Sequence, residues 1–427
     1  MKVIVLGAGV VGTTAAWFLA KAGHEVSVIE RRPAAGLETS FANGGQISVS
    51  HAEPWAHPGA PLKVFKWMFS EDAPLLFRPR LDLRQWQWCL EFLRECTPAR
   101  TRHNIRQLVN LGLYSRGLLQ ELRAETGIEF DHLERGILHF YTSQQAFDAA
   151  QAPARIMREF GGELDMKTPE ECVAIEPALA HARAGIIGGS LTPSDESGDA
   201  HLFTQRLAAL CEKSGVQFLY GHTITHVAAS GGTVSGIRVT GPDGCVALIS
   251  GDAYVVALGS YSPQLLAPLG IRLTIYPAKG YSVTLPVADP ARAPSVSLTD
   301  DEYKLVYSRL GDRLRIAGTC ELNGYDTALN DVRCQGIVRR TEELFPGAGD
   351  VGQAQYWTGL RPATPSNVPY IGKTKLANLY LDTGHGTLGW THGCGSGKAI
   401  ADIISGKTPE VDFAFAGMPR RSRSCPP

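Results

Sequence analysis

The chain has 427 residues, of which 44% are hydrophobic and 19% are charged, as is usual for globular proteins. Its length exceeds what a single hydrophobic core usually spans, so we expect two domains. The formal net charge of −1 argues against a nucleic-acid partner, because phosphate binding requires clustered positive charge. The nine cysteines include no pair at C-x-x-C spacing, which excludes the common zinc and redox signatures and favours reduced thiols in a bacterial-type cytoplasm.

The first thirty residues follow the pattern of a nucleotide-binding βαβ unit. An apolar run at residues 2–6 predicts a buried strand, and Gly-x-Gly-x-x-Gly follows it at residues 7–12. Residues 13–21 predict a helix, and residues 25–29 predict a second strand that leads to Glu30. Because this pattern continues through the apolar N-terminus, we interpret that segment as folded structure rather than as a signal peptide. The sequence has no run of 18 apolar residues, which predicts that no segment spans a membrane.

Each residue of this motif has a physical role in holding an ADP group. Gly7 permits the tight turn, Gly9 lets the backbone approach a pyrophosphate, and Gly12 lets the helix pack closely on the strand. The helix N-terminus offers unpaired N–H groups and a positive dipole end to the phosphates. Glu30 can accept hydrogen bonds from a ribose diol, and its negative charge disfavours a 2′-phosphate. The segment therefore predicts an ADP-containing dinucleotide other than NADP.

The polar segment at residues 34–46 distinguishes FAD from NAD. A turn-rich linker would have a similar composition. As a cofactor loop, the segment can contact a ribityl chain or an isoalloxazine ring through side chains and backbone of Ser40, Asn43, Gly44 and Gly45. Two distant segments favour the longer cofactor. Residues 252–259 and 379–384 each predict a buried strand that ends in a small-residue turn, and Gly395 and Gly397 predict the opening of a further helix. The dipole of that helix would stabilise negative charge on a reduced flavin.

Two features of the C-terminal region imitate other sites. Gly397-Lys398 suggests a phosphate-binding P-loop, but His392 occupies the position of the required first glycine. His385, His392 and Cys394 have neither helical metal-ligand spacing nor a carboxylate partner, so we expect no metal site.

Several longer stretches resemble one family of flavoenzymes. They are the opening turn, LETSFANGGQIS, HAEPWAHPGAPLK, YWTGLRPATPSNVPYIG and NLYLDTGHGTLGWTHGCGSGKAIADIISG, and they are spread over nearly the whole chain. The chain resembles the FAD-dependent amino-acid oxidoreductases of the D-amino-acid oxidase and glycine oxidase superfamily. Within it, the chain most resembles the bacterial D-amino acid dehydrogenase small subunits.

The resemblance implies oxidative deamination of a D-amino acid. Hydride passes from the substrate to FAD, the imine hydrolyses to a 2-oxo acid and ammonia, and the electrons leave to a respiratory acceptor such as a quinone. The resemblance also implies a cytoplasmic protein that associates with the cytoplasmic face of the inner membrane. Two alternatives stay open: an oxygen-using oxidase of glycine, sarcosine or D-proline-like amines, and a non-catalytic FAD-binding subunit of a larger complex.

The expected fold class is α/β, with a Rossmann-type FAD-binding domain interleaved with an α+β substrate domain that contains a largely antiparallel sheet. We assign residues 1–90, 190–275 and 355–416 to the FAD-binding domain, residues 91–189 and 276–354 to the substrate domain, and residues 417–427 to a tail. Residues 97–126 have helical periodicity, whereas residues 274–320 are typical of alternating strands. An interleaved arrangement places the active site between the domains.

The resemblance assigns the substrate carboxylate to Arg361, which lies in the G-x-R-P motif of the family. A guanidinium can bind a carboxylate through two hydrogen bonds and fix the orientation of the substrate, and a surface ion pair is the alternative role. Hydride transfer requires no protein base, and no convincing His/Asp pair is apparent. Further pocket candidates, which could also be ordinary half-buried residues, are His51, Trp55, Tyr276, Tyr281, Tyr303 and Tyr307. The even spacing of Tyr303 and Tyr307 places them on one possible strand face.

The predicted cofactor contacts combine the glycine-rich turn, the polar loop and the later turns. They are Val3, Gly7, Gly9, Val10, Val11, Gly12, Glu30, Arg31, Ser40, Asn43, Gly44, Gly45, Val227, Gly259, Gly386, Thr387, Leu388, Gly389, Trp390 and Thr391. Sarcosine-type relatives attach FAD through a cysteine in the segment equivalent to residues 357–367, and this sequence has none there. We therefore expect FAD to be bound non-covalently.

Basic and aromatic side chains are interleaved in residues 62–96. Such a segment can bind a membrane surface. It can also form a lid or an inter-domain core whose aromatic side chains are buried, and this second interpretation is favoured. The arginine-rich tail at residues 420–427 is expected to be disordered.

Overall fold

The computed structural model describes residues 1–67, 71 and 73–419. The tail predicted to be disordered lies outside the described residues, as do positions 68–70 and 72 of the basic and aromatic segment. Among the described residues, no helix is both long and apolar enough to cross a bilayer.

The described residues form ten α-helices and twenty β-strands. The helices are α1 (Val10–Lys21), α2 (Ala60–Trp67), α3 (Leu83–Glu95), α4 (Pro98–Thr126), α5 (Gln144–Glu159), α6 (Pro169–Ile175), α7 (Ala200–Lys213), α8 (Ser262–Leu266), α9 (Asp331–Leu344) and α10 (Gly389–Ile404). The strands are β1 (Lys2–Leu6), β2 (Glu25–Ile29), β3 (Gln46–Ile47), β4 (Leu75–Phe77), β5 (Ile137–Tyr141), β6 (Asp165–Lys167), β7 (Gly188–Thr192), β8 (Glu196–Ser197), β9 (Gln217–Leu219), β10 (Thr223–Ser230), β11 (Thr233–Thr240), β12 (Val246–Ile249), β13 (Ala253–Val256), β14 (Tyr276–Pro286), β15 (Ser297–Asp300), β16 (Leu305–Leu310), β17 (Arg313–Leu322), β18 (Gln355–Ala363), β19 (Tyr370–Lys373) and β20 (Leu379–Thr383).

The first layer is a six-stranded sheet in the order β19-β20-β13-β1-β2-β9. Its strands are parallel except for β19, and short apolar runs such as residues 2–6 form them because both faces of the sheet are covered. Helices α1, α7 and α10 cover one face, and the three-stranded sheet β10-β11-β12 packs against the other. This is the Rossmann-type architecture expected from the glycine-rich turn.

The second layer is a nine-stranded, largely antiparallel sheet. Its order is β18-β14-β17-β16-β15-β5-β7-β6, and β4 pairs with β17. Only the β15–β5 and β17–β4 pairs of these described strands are parallel. One face packs on α6 and α9, with Phe345 and Ile337 in its core. Residues of the other face line a large cavity between this sheet and the six-stranded sheet.

The predicted domain boundaries differ from the two sheets in three places. β18 pairs along its whole length with β14, so residues 355–363 form part of the larger sheet. β4 joins the larger sheet from within residues 1–90, and β7 crosses the boundary at residue 190. Helix α4 matches the predicted helix closely, but its apolar side packs in the FAD-binding core. Pairing between strands that are distant in sequence sets these boundaries, and composition does not reveal it.

Helix α10 begins earlier than predicted. The expected start was at residues 395–397, whereas the helix begins at Gly389. Gly395 and Gly397 lie inside the helix because neighbouring helices pass too close for a side chain. A Cβ at Gly397 would lie 2.7 Å from the Thr14 carbonyl carbon, and one at Gly395 would lie 2.8 Å from Ser115 Cβ. These two glycines therefore allow α10 to pack tightly on α1 and α4.

Candidate active site

One cavity of about 1350 Å³ lies between the two large sheets. The β1–α1 turn, the loop at residues 38–61 and the β20–α10 turn line it from the side of the six-stranded sheet. Strands β5, β14, β15, β17 and β18 line it from the side of the larger sheet, and helices α3 and α5 contribute a third wall. The cavity thus joins most segments from which the sequence predicted cofactor and substrate contacts.

The turn between β1 and α1 leaves backbone groups open to one end of the cavity. Gly7 has φ +103°, and a Cβ there would lie 2.7 Å from the Ala257 carbonyl oxygen, so only glycine fits. Gly9 precedes α1 without a side-chain cap, and a Cβ on it would meet only Ser40 Oγ, at 3.5 Å. Gly12 lies behind the turn, where a Cβ would overlap the carbonyl oxygen of the first glycine. Gly12 therefore has a packing role, whereas the start of α1 presents N–H groups to the cavity.

Glu30 follows β2 beside this turn. Its two carboxylate oxygens accept hydrogen bonds from the backbone N–H groups of Ala8 and Arg32, both at 2.8 Å. Burial raises the pKa of Glu30, and these two N–H groups offset that effect only in part. Each oxygen keeps acceptor capacity for a hydroxyl group, which fits a ribose diol. Arg31 pairs with Glu38 at 2.6 and 2.7 Å, and both side chains line the same end of the cavity.

The polar loop packs on the larger sheet. Ser40 accepts a hydrogen bond from the Val10 N–H at 3.0 Å, which ties the loop to the start of α1. Gly44 lies so close to β16 that a Cβ there would overlap a side chain of that strand. Arg315 is buried and donates to the Asn43 carbonyl at 3.1 Å. The four loop residues predicted as cofactor contacts all line the cavity.

A second helix N-terminus faces the cavity at the β20–α10 turn. This turn carries Gly386 at φ +55°, and Leu388 precedes α10 without a side-chain cap. All six predicted residues at positions 386–391 line the cavity, as does Gly259. An uncapped N-terminus carries partial positive charge and unpaired N–H groups. Two such ends on one cavity fit FAD, because its pyrophosphate and its flavin ring can each meet one of them.

Three residues predicted as cofactor contacts are not among the described residues that line the cavity: Val3, Gly12 and Val227. The side chains of Val3 and Val227 are buried in the two cores that flank the six-stranded sheet. The cavity instead meets β10 at its first residues, 223–225. The cavity therefore meets the start of β10 and not Val227, which lies in the middle of that strand.

The tyrosines predicted for the pocket, Tyr303 and Tyr307, also lie outside the described lining. A turn at residues 301–304 precedes β16, so the two tyrosines do not share a strand face as their even spacing suggested. Tyr303 is exposed and its ring lies 4.1 Å from the Arg340 guanidinium, whereas Tyr307 is buried against Phe345 in the core behind the sheet. Tyr276 is likewise absent from the described lining. The candidates that do line the cavity are His51, Trp55 and Tyr281.

Arg361 extends from β18 into the cavity across β14. Its guanidinium donates to the Thr319 carbonyl at 2.8 Å and to the Gly318 carbonyl at 3.4 Å. It also lies so close to Gly280 that a Cβ at that glycine would overlap it. No carboxylate among the described residues pairs with this guanidinium, and burial lowers the pKa of Arg361. The surroundings therefore disfavour the cation, and an anionic ligand would supply the missing counter-charge.

Four titratable side chains meet where β5 and β15 border the cavity. The rings of His51 and His139 lie 5.8 Å apart between their centres, and Lys304 donates to Asp301 at 2.7 Å. Burial lowers the pKa of His51 to about 4 and that of His139 to about 3, so both imidazoles are neutral at neutral pH. Burial alone would raise the pKa of Asp301, but the lysine and the two histidines more than offset it, and that pKa is lowered. The sequence showed no convincing His/Asp pair, and the fold brings these side chains together at one edge of the cavity.

Strand alternation in β5 contains a signal for His139, which was not among the predicted site residues. In the strand ILHFY, Leu138 and Phe140 are apolar and pack in the core, so His139 and Tyr141 share the opposite face. The Tyr141 hydroxyl lies 3.3 Å from Ser190 Oγ on β7. No local pattern connects this strand with residues 297–300, which pair with it across more than 150 positions.

A buried carboxylate holds the segment that precedes His51. Asp195 accepts hydrogen bonds from the Ser50 hydroxyl at 2.6 Å, from the Ser50 N–H at 3.1 Å and from the Val49 N–H at 3.0 Å. Arg116 on α4 approaches the same carboxylate at 3.4 Å. Asp195 therefore fixes the backbone that carries His51 into the cavity. No motif in the sequence marks this residue.

Helix α3 has apolar side chains on two sides. Trp88, Cys89 and Phe92 line a branch of the cavity, as the lid interpretation of residues 62–96 predicted. An exposed apolar stripe also runs along this helix, and its members are each between 49% and 87% exposed: Leu83, Trp86, Leu90 and Leu93, the last of which also borders the cavity. Their spacing of three, four and three residues places them on one face of the helix. The lid interpretation thus accounts for the inner side of α3 but not for its outer side.

Comparison with known proteins identifies relatives along nearly the whole chain. The family model described as FAD dependent oxidoreductase (DAO) matches residues 2–403. The chain is 58% identical over 415 residues to a D-amino acid dehydrogenase of Dechloromonas aromatica, and the matched region covers 97% of this chain and 99% of that protein. It is 53% identical over 421 residues to a D-amino acid dehydrogenase of Paramagnetospirillum magneticum, with 98% and 99% covered.

Solved structures of more distant proteins have the same fold. The L-proline dehydrogenase from P. horikoshii is similar with a TM-score of 0.74 and 20% identity, over 95% of this chain and 94% of that one. The glycine oxidase from Geobacillus kaustophilus is similar with a TM-score of 0.73 and 22% identity, over 96% of both chains. These similarities establish the fold and leave the chemistry to the residues of the cavity.

Proposed function

The chain belongs to the FAD-dependent oxidoreductase family, and we propose that it oxidises D-amino acids to 2-oxo acids and ammonia. The observation that carries this proposal is Arg361, a part-buried guanidinium without a carboxylate partner among the described residues, in a cavity that fits FAD. A substrate carboxylate would supply the counter-charge through two charge-assisted hydrogen bonds. The relatives named D-amino acid dehydrogenase support the substrate class and its stereochemistry.

The proposed roles of the chain are to bind and orient the substrate and to exclude water. FAD, when bound, would accept the hydrogen of the substrate α-carbon as hydride. Arg361 would hold the carboxylate and so fix the direction of the α-carbon. His51, which is neutral at neutral pH, would accept a hydrogen bond from the substrate amino group. Hydride leaves from the uncharged amine, which still has N–H groups to donate to this imidazole.

The proposed cofactor contacts are those predicted residues that line the cavity. Glu30 would bind the ribose diol, and the backbone from Gly9 to the start of α1 would bind the pyrophosphate. The loop at residues 40–45 and the turn at residues 386–391 would surround the flavin ring. The uncapped N-terminus of α10 supports this placement, since its partial positive charge would stabilise a reduced flavin.

Replacement of Arg361 by methionine tests the substrate assignment. We expect Arg361→Met to keep its flavin absorbance and to lose about a hundredfold or more in kcat/KM for D-amino acids, because two charged hydrogen bonds are lost. Arg272→Met is the matched control, since Arg272 is an exposed arginine outside the described cavity lining. Unaltered kinetics of Arg361→Met would remove this residue from the site. A wild-type flavin that no D-amino acid, glycine or sarcosine bleaches anaerobically would favour the non-catalytic subunit instead.

For the electron acceptor, we propose a respiratory quinone rather than oxygen. The word dehydrogenase in the names of the relatives supports an acceptor other than oxygen. The apolar branch under α3 supports a lipid-soluble one, because it opens the same cavity to an apolar ring. With D-alanine as donor, we expect rapid reduction of a soluble quinone and little hydrogen peroxide. Stoichiometric peroxide in air would identify the chain as an oxidase.

We also propose that α3 docks on an anionic membrane surface. The exposed stripe of this helix is the support from shape, because four large apolar side chains on one helix face are costly in water. The charge of this region also supports docking. Residues 73–102 contain six arginines and three acidic residues, so this region is positively charged although the whole chain is slightly negative. Arg84 and Arg94 are both exposed on α3 itself.

Binding to lipid vesicles tests this docking. We expect the wild-type protein to sediment with vesicles that contain phosphatidylglycerol and to bind much less to phosphatidylcholine alone. The double variant Leu83→Glu/Leu90→Glu should abolish that binding while flavin content is retained. Val246→Glu/Leu248→Glu is the matched control, because these apolar side chains on β12 are also more than half exposed. Equal binding by the two double variants would exclude the α3 surface.

A further inference from the structure

Arg361 and His139 lie at opposite ends of one cross-strand row on the larger sheet. The row begins at the Gly318 carbonyl, which accepts a hydrogen bond from Arg361. Backbone pairing then continues the row across β17, β16, β15 and β5 through Gly318, Leu305, Asp300 and Phe140. His139 and Tyr141 flank the last of these residues, and both side chains line the cavity.

The length of this row matches an extended amino acid with a long side chain. Three steps between neighbouring strands span about 14 Å. In a glutamine, the five bonds from the carboxylate carbon to the side-chain amide nitrogen span about 6 Å. The carboxylate C–O bond and one hydrogen bond of about 3 Å at each end, to Arg361 and to the far subsite, bring the total to about 13 Å. A D-amino acid held by Arg361 and extended along the row would therefore place the end of such a side chain beside β5.

The groups at the far end of the row are mainly uncharged groups that can form hydrogen bonds. His139 is buried, and its Nε2 has no hydrogen-bond partner among the described residues. The Tyr141 and Ser190 hydroxyls lie next to each other on the same side of the sheet. Lys304 and Asp301 are paired, so their charges offset each other. A buried Nε2 without a partner favours a ligand that can form a hydrogen bond with it.

We propose that His139, Tyr141 and Ser190 form a side-chain subsite that selects D-amino acids ending in an uncharged carboxamide. This inference rests on the proposed function, because it uses Arg361 as the carboxylate anchor. A charged head group gains less here, since the subsite has no unpaired opposite charge among the described residues. A purely apolar head group leaves the imidazole without a hydrogen-bond partner. The subsite therefore favours a carboxamide over an apolar group of the same size.

A comparison of two isosteric substrates tests the subsite. D-Glutamine and D-homoleucine have side chains of the same length and branching, and only D-glutamine carries hydrogen-bonding atoms. For the wild-type holoenzyme, we expect kcat/KM to be about tenfold higher for D-glutamine than for D-homoleucine, and also higher than for D-glutamate. His139→Phe should bring the ratio of the first two close to one. Ser190→Ala, a smaller change, should lower the ratio by about twofold to threefold.

The outcomes separate this inference from the proposed function. D-Alanine is too short to reach β5, so failure of D-alanine to reduce the bound flavin would contradict the proposed function itself. Reduction by D-alanine together with equal kcat/KM for D-glutamine and D-homoleucine would overturn the subsite alone. A ratio that is unchanged in both His139→Phe and Ser190→Ala, with normal flavin content, would also overturn it. A preference for D-glutamate would show that the head group is recognised by charge, against the proposal.

Discussion

The Arg361 guanidinium lies against the backbone of Gly280, closer than any side chain at residue 280 would allow. Gly280 is in β14 and its φ is not positive, so alanine is compatible with the backbone at this position. We expect Gly280→Ala to displace the guanidinium from the Thr319 and Gly318 carbonyls. Misplacement of the carboxylate anchor should lower kcat/KM by about tenfold to a hundredfold, with flavin content unchanged. Steady-state kinetics and flavin absorbance measure the two effects.

Gly117→Ala is the matched control for this prediction. Gly117 lies in α4, and a Cβ there would have no atom within 4 Å. Alanine should therefore stabilise the helix slightly and leave the kinetics unchanged. Wild-type kinetics of Gly280→Ala would contradict the contact between the glycine and the guanidinium.

Asp195 is expected to position His51 through the backbone. Asp195→Asn places an NH₂ group among the N–H and hydroxyl donors of residues 48–50, so some of these donors lose their acceptor. We expect a loss of about 1–3 kcal/mol in the free energy of unfolding and a fall in kcat that exceeds any rise in KM. Asp165→Asn, at an exposed carboxylate on β6, should change neither quantity. Equal stability of the two variants would argue against a positioning role.

The sequence predicted the fold of the first thirty residues well because its signals are local. A strand, a glycine turn, a helix and an acidic residue follow one another within thirty residues, and only one compact arrangement suits them. Arg361 was found through a family motif. His139 and Asp195 were missed because each reaches the cavity through pairing with distant segments, and no spacing in the chain reports that pairing. Even spacing misplaced Tyr303, since a turn ends the pattern before β16 begins.

FAD is expected to leave the denatured protein. Cys89 and Cys320 line the cavity, but neither lies in residues 357–367, where sarcosine-type relatives carry the attached cysteine. Burial raises the pKa of Cys320 to about 11, so its thiol stays protonated and is a poor nucleophile. Acid precipitation should therefore release all the flavin into the supernatant, for the wild type and for Cys320→Ser alike. Flavin that remains on the wild-type pellet would indicate a covalent bond.

His392 is expected to make the stability of the protein depend on pH. It is buried in α10, its Nε2 lies 3.2 Å from the Leu108 carbonyl oxygen, and its Nδ1 has no partner among the described residues. Burial lowers the pKa of His392 from 6.5 to about 4. Between these two values the unfolded chain binds a proton that the folded chain does not. The contribution of His392 is therefore fully present above pH 6.5 and is lost as the pH falls towards 4.

A substitution isolates this contribution from other titrating groups. One proton corresponds to about 1.4 kcal/mol per pH unit, so His392→Gln should flatten the pH dependence of the unfolding free energy by about that slope between pH 6.5 and 4.5. Glutamine retains an N–H donor for the Leu108 carbonyl, so the fold should persist. His181→Gln, at an exposed histidine, should leave the slope as it is in the wild type. Urea unfolding of the flavin-saturated proteins at several pH values measures the slopes. If His392→Gln and the wild type have equal slopes, the buried imidazole does not titrate as its surroundings require.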